Sequence, residues 1–209
     1  MKYFLIIIFP LVIILANFRY LMQNVDFYKS LYAKIGVYQS FGDPSEVNSQ
    51  TDSLIGYYRG KNQLDHKFFS KQAILHLAEV KQLLEFSSKL LYLTGFASLV
   101  LLVLLVIKKR YESVLISAII SSTATIAFMI LLSIGTLNFF DPLFVKFHEL
   151  FFKNNLWLFP PDDNLIKLFP QQFFIEFASR LAINIIITSA TIAIVSWVLK
   201  KNLKLEIRN

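Results

Sequence analysis

Two of the three histidines in this chain sit where an imidazole could manage a proton. His76 has Ala73, Val80, Leu83 and Leu84 around it at helical spacings, and His148 has Phe144, Phe151 and Phe152 around it in the same way. Residues three and four apart share a helix face, so each ring projects from an apolar face rather than into open water. Burial disfavours the charged form of histidine. Each imidazole is therefore expected to be neutral near pH 7 and able to accept a proton, as a general base must.

Other readings compete for the same residues. A lone histidine among aromatic residues at a membrane interface serves more often as an anchor or a packed core group than as a catalyst, so spacing alone assigns no site. His76 and Glu79 stand at i, i+3 and could share a metal with His66 or His148, but no established zinc spacing is present. The chain has no cysteine, which removes disulfides, thiolate nucleophiles and cysteine metal sites. Serines and threonines are numerous, yet no Gly-x-Ser-x-Gly elbow occurs. No metal and no cofactor is expected.

The elements that must position these residues belong to a membrane protein. Hydrophobic residues make up 56% of the chain and charged ones 17%, well under the roughly 25% of ordinary soluble domains. A spanning helix needs about 20 mainly apolar residues. Four stretches qualify, at about 3–22, 90–107, 114–139 and 181–199. The chain is read as one membrane domain, 1–209, of the all-α class. Its first stretch is read as an uncleaved signal anchor, because Ala16-Asn17-Phe18-Arg19 offers no small-x-small cleavage site.

Basic residues near span ends are retained in the cytoplasm. Lys2 precedes the first span, Lys108, Lys109 and Arg110 join the second to the third, and Lys200, Lys201, Lys204 and Arg208 follow the fourth. All mark one side, so the expectation is a multi-pass plasma-membrane protein with both termini cytoplasmic. Segments 23–89 and 138–180 then lie outside. The formal charge of +7 is explained by topology and implies no nucleic acid. Arg19 and Arg180, at the outer span ends, are most simply snorkelling cations, with head-group or peptide recognition as the functional alternative. Trp157 reads as a belt residue. Ser121, Ser122, Thr123 and Asn184 read as polar glue between helices. No carboxylate lies mid-membrane, which argues against an ion-coupled transporter.

Within the outer segments, 41–62 is rich in Gly, Ser, Asp, Asn and Gln and is compatible with irregular structure or short β-strands. Ser70 is suited to cap a helix that starts at Lys71 and runs into the second span. Asp141-Pro142 predicts a capped aromatic helix over 142–153, lying in the interface and ended by Asn154-Asn155. Pro160-Pro161-Asp162-Asp163 predicts a turn and a second short helix ending near Pro170.

The run Phe147-His148-Glu149-Leu150-Phe151-Phe152, then Trp157-Leu158, Asp162-Asp163, Leu165-Ile166, Leu168-Phe169-Pro170 and Phe173-Phe174, resembles the signature of the lipoprotein intramolecular transacylase family. Phe69-Ser70 and His76-Leu77-Ala78-Glu79-Val80-Lys81 resemble that family's second block, with Glu79 in place of its aspartate and Ala73 where an acidic residue is expected. The resemblance covers most of the chain. It implies a four-span enzyme that transfers the sn-2 acyl chain of a diacylglyceryl lipoprotein to the α-amino group of its N-terminal cysteine. It also implies that His76 and His148 are the catalytic residues. Glu79, Trp157 and Arg180 are then substrate-binding or supporting candidates, and the partners are a membrane lipoprotein and the bilayer. A membrane enzyme acting on another lipid, or a non-catalytic membrane scaffold, remains the alternative.

Overall fold

Apolar length dictates the framework. The structure, a computed structural model, describes residues 1–206, with side chains to 203; Arg208 lies outside the described residues, as does the side chain of Lys204. Its helices are α1 (Lys2–Met22), α2 (Val25–Ile35), α3 (Pro44–Tyr58), α4 (Lys71–Ile107), α5 (Tyr111–Asn138), α6 (Phe140–Phe151), α7 (Asn164–Leu168) and α8 (Gln171–Glu206), with a 3-10 turn at Val37–Ser40. Helices α1, α4, α5 and α8 are long and apolar enough to cross a membrane. The chain folds as two compact units, an apolar one of residues 1–19, 87–134 and 180 onwards, and a polar one of residues 20–86 and 135–179.

In the apolar unit, hydroxyl groups tie helices whose packing gains little from hydrophobic burial. Ser117, Ser121, Ser122 and Thr125 form a buried face of α5. Ser117 Oγ reaches the Lys2 carbonyl and Ser121 Oγ the Ile6 carbonyl, each at 3.3 Å. Thr188 Oγ1 donates to Asn17 Oδ1 at 3.4 Å, linking α8 to α1. Thr123 departs from the expectation: it is exposed, and its hydroxyl folds back onto the Ile119 carbonyl. Its position, 100° away per residue from the Ser121–Ser122 face, turns it outward. Arg19 donates to Ser88 Oγ at 2.6 Å and lies over the Tyr92 ring, 5.4 Å from its centroid.

The polar unit is built on its own core. Tyr28, Leu31 and Tyr32 share one face of α2, which Asn24 caps by accepting from the Phe27 amide at 3.0 Å. Gly36, at φ 80°, ends α2 in the left-handed conformation that glycine adopts at least cost. Among the described residues there is no strand, and segment 41–62, which its composition made compatible with strands, is mostly helix α3. The local reason is legible afterwards. Asp43 accepts from the Ser45 amide, Pro44 occupies the first turn, and Val47, Thr51, Leu54 and Ile55 recur at helical spacing and are buried. Polar residues fill the opposite face, which diluted the apolar period. Val47, Leu54 and Ile55 join Phe68, Phe69, Ala73, Leu77, Leu165, Leu168 and Phe173 in one cluster.

Leu54 is 1% exposed in that cluster. Leu54→Ala should lower stability by about 2–5 kcal/mol, the ordinary cost of a buried leucine cavity. Denaturant or thermal unfolding of the purified variant checks this, and an unchanged midpoint would contradict the core assignment.

Candidate active site

The site begins with one face of α4. Ser70 Oγ accepts from the Ala73 amide at 3.1 Å, so the helix starts as the sequence predicts. Ala73 and Leu77 turn into the core, at 0% and 3% exposure. Gln72, His76 and Glu79 follow one another at i, i+4 and i+7 and form an adjacent stripe. Its first half, with Lys71, Glu79, Lys81, Glu85 and Lys89, is the charged part of α4; the charge-free part suited to hydrocarbon is 90–107.

The second histidine comes from α6. That helix starts at Phe140, earlier than Asp141-Pro142 suggests, because hydrogen bonds from the Phe139 amide to the Gly135 carbonyl and from the Leu143 amide to the Phe139 carbonyl carry the chain through from α5. Asp141 therefore does not cap it, and accepts instead from Gln171 Nε2 at 2.7 Å. The helix stops at Phe151, and Phe152 turns extended. The loop that follows is stitched to α4 at two levels. Gln72 Nε2 donates to the Leu156 and Leu158 carbonyls at 3.0 and 2.8 Å, and Asn154 Nδ2 donates to Glu79 Oε1 at 2.5 Å. These bonds flank His76 on both sides.

The two imidazoles consequently meet. Their centroids are 6.1 Å apart with planes inclined by 30°. Phe152 lies edge-on to His76 at 4.9 Å, with Phe159 at 5.7 Å. Phe144 and Trp157 cover His148 at 4.2 and 4.7 Å. Both histidines are buried, at 7% and 8% exposure.

Tautomers follow from the partners. His148 Nδ1 lies 2.7 Å from the Phe144 carbonyl, which can only accept, so Nδ1 carries the hydrogen and Nε2 keeps its lone pair. His76 Nδ1 is sealed from solvent and faces Glu79 Oε2, likewise sealed, at 3.8 Å. A carboxylate oxygen opposite Nδ1 favours the same tautomer. With Nδ1 carrying the hydrogen in each ring, the lone pair is left on Nε2. Desolvation, and secondly the neighbouring His148, lower His76 from its ordinary 6.5 to about 4 against the opposing pull of Glu79. Desolvation also lowers His148, opposed by its bond to the Phe144 carbonyl. Two neutral rings with their lone pairs on Nε2 can take up a proton or, once protonated, donate to a developing oxyanion.

Of the residues singled out from sequence, His76, His148, Glu79 and Trp157 come together. Trp157, which composition assigned to a membrane belt, stacks on His148. Arg180 belongs to the apolar unit, where it is exposed on α8. Gln72, Asn154 and Phe159 escaped the sequence reading. Nothing local distinguishes a glutamine or asparagine that ties a loop to a distant helix, and Asn154 read simply as a helix stop. Among the described residues no three His, Asp or Glu side chains are grouped as metal ligands, so His66 does not complete a set with His76 and Glu79.

Comparison with known proteins gives a consistent result. The family model described as lipoprotein intramolecular transacylase Lit matches residues 3–174. The structure of the membrane integral lipoprotein intramolecular transacylase Lit from Bacillus cereus aligns with a TM-score of 0.84 at 22% identity, covering 99% of this chain and 95% of that one. Two variants of the same Bacillus cereus protein, with a histidine replaced by alanine or by arginine, align with TM-scores of 0.75 and 0.74, both at 22% identity. Each covers 100% of this chain, and the alignments take in 96% and 94% of the variants. At that identity the structures establish the shared fold. No curated protein matches the sequence.

The lowered His76 value carries a pH dependence with a definite sign. The unfolded chain binds this proton near 6.5 and the folded one only near 4, so the stabilising effect of the neutral ring is complete above 6.5 and is lost as pH falls between those values. The melting temperature of the full chain should drop through that window, and His76→Gln should drop less. Parallel curves for the two proteins would contradict the burial of a neutral imidazole.

Proposed function

The chain belongs to the lipoprotein intramolecular transacylase family, and from that premise we propose that it moves the sn-2 acyl chain of a diacylglyceryl lipoprotein onto the α-amino group of the N-terminal cysteine. His76 and His148 are the catalytic pair in this reading, in an extracytoplasmic polar unit, with both termini cytoplasmic. The observation that carries it is the convergence of two buried imidazoles 6.1 Å apart, each with its Nδ1 turned inward.

The chemistry asks for little more. The amine nitrogen attacks the ester carbonyl, a C–N bond forms, the C–O bond to glycerol breaks, and the proton lost by nitrogen ends on the glycerol oxygen. Nucleophile and electrophile belong to one substrate, so the protein supplies no Ser or Cys nucleophile and needs no cofactor. Its tasks are to hold amine and ester in attack geometry and to carry one proton between them. His148, with Nδ1–H spent on the Phe144 carbonyl, is suited to accept the proton at Nε2. That ring, as the imidazolium so formed, returns the same proton to the leaving glycerol oxygen, and His76, with Glu79 opposite its Nδ1, is a second neutral imidazole beside the reacting groups through which the proton can pass. Trp157 forms a wall of the site against His148. Arg180 is assigned only contact with lipid head groups.

A positioned acid or base contributes roughly 10²- to 10⁴-fold, so His148→Ala should reduce lyso-lipoprotein formation by that factor while leaving the fold intact. Mass spectrometry of a lipoprotein N-terminus after incubation with purified enzyme reads this directly; undiminished N-acyl product would refute the assignment. Plain phospholipid should be left unchanged in the same assay. Asn154→Ala frees Glu79 and should lower kcat by up to about 10²-fold through misalignment, with KM and melting temperature little changed. An unaltered kcat would remove Asn154 from the positioning chain.

A further inference from the structure

Helix α4 ends in an unusual way. The Lys109 amide donates to the Val106 carbonyl and the Arg110 amide to the Leu105 carbonyl, both at 2.8 Å, closing a Schellman turn. The left-handed residue of that turn is Lys109, at φ 54°, and it is the one non-glycine residue with positive φ among those described. Glycine is the residue that fills such a position most readily. A lysine there spends backbone comfort on a side chain.

That side chain helps line a hollow of about 430 Å³ within the apolar unit, together with Arg110, Ser113 and Lys200. Glu112 is the one carboxylate of the lining and stands 3.8 Å from Lys200, so the cations outnumber it. Helix α5 starts at Tyr111, directly at the hollow, and adds the partial positive charge of its first turn. Basic residues at span ends suffice to set topology wherever they point. Topology does not call for cations from the α4–α5 turn and from α8, about ninety residues apart in sequence, to converge on one concavity. Leu203 and the ring of Tyr111 supply apolar surface in its lining.

We propose that this hollow binds the phosphate of an anionic phospholipid head group, with Lys109, Arg110 and Lys200 as its charged contacts and the flanking apolar side chains against its acyl chains. Basic pockets between membrane helices recognise head groups by this combination. Free phosphate shares the charge but not the chains.

The test uses the full chain in detergent, titrated with phosphatidylglycerol, with phosphatidylcholine of the same acyl length and with inorganic phosphate, and read by native mass spectrometry of bound lipid. The wild type should retain phosphatidylglycerol preferentially, and each cation removed should weaken it by about fivefold, so that Arg110→Gln with Lys200→Gln abolishes the preference. Lys109→Gly removes one charge while easing the backbone; it should lose lipid yet melt no lower than wild type without lipid. Equal retention of both lipids, or an unchanged preference in the variants, would overturn the proposal. Displacement of phosphatidylglycerol by millimolar inorganic phosphate would overturn the lipid assignment in favour of a free anion.

Discussion

The polar unit depends on two hydrogen-bonded stitches between the loop after α6 and a single stripe of α4. Gln72 holds the Leu156 and Leu158 carbonyls, and Glu79 holds Asn154, one turn on either side of His76. Loops carry few apolar contacts and tend to open independently. Pinned at both ends of a turn, this one instead delivers Phe152, Trp157 and Phe159 to two imidazoles. The stitches thereby set where Phe152, Trp157 and Phe159 lie against His76 and His148.

Electrostatics then follows from packing rather than from charge. Aromatic rings shield both imidazoles, and burial is the leading cause of the downward shift at each. A second proton would add a like charge 6.1 Å from the first, in surroundings that screen it poorly. The arrangement therefore favours at most one proton at a time, which suits a reaction that moves one proton from nitrogen to oxygen. Glu79 is the counterweight. Its sealed Oε2 faces His76 at a distance that a small movement converts into a charge-assisted hydrogen bond.

The apolar unit solves a different problem. Lipid offers no hydrophobic penalty to separated helices, so close approach and interhelical hydrogen bonds must hold them. Serine serves both needs. Ser117 and Ser121 are small enough to bring α5 against α1 and polar enough to bond its carbonyls. Arg19 spans from α1 to Ser88, so a cation that sequence alone assigns to snorkelling also acts as a clasp.

The sequence by itself determined the four apolar helices, since their length and lack of charge leave the backbone no other way to satisfy its hydrogen bonds in hydrocarbon. It also determined the starts at Ser70 and Asp163, where a side-chain cap acts within three residues, and the apolar faces that bury His76 and His148. Segment 41–62 was ambiguous because Val47, Thr51, Leu54 and Ile55 are diluted by polar neighbours, and only packing against the α2 core decided for helix. The meeting of the two histidines, the clamp by Gln72 and Asn154, and the stacking of Trp157 belonged to tertiary structure alone. Each joins residues remote in the chain through a single bond or ring contact, and such contacts leave no periodicity for a sequence reading to detect.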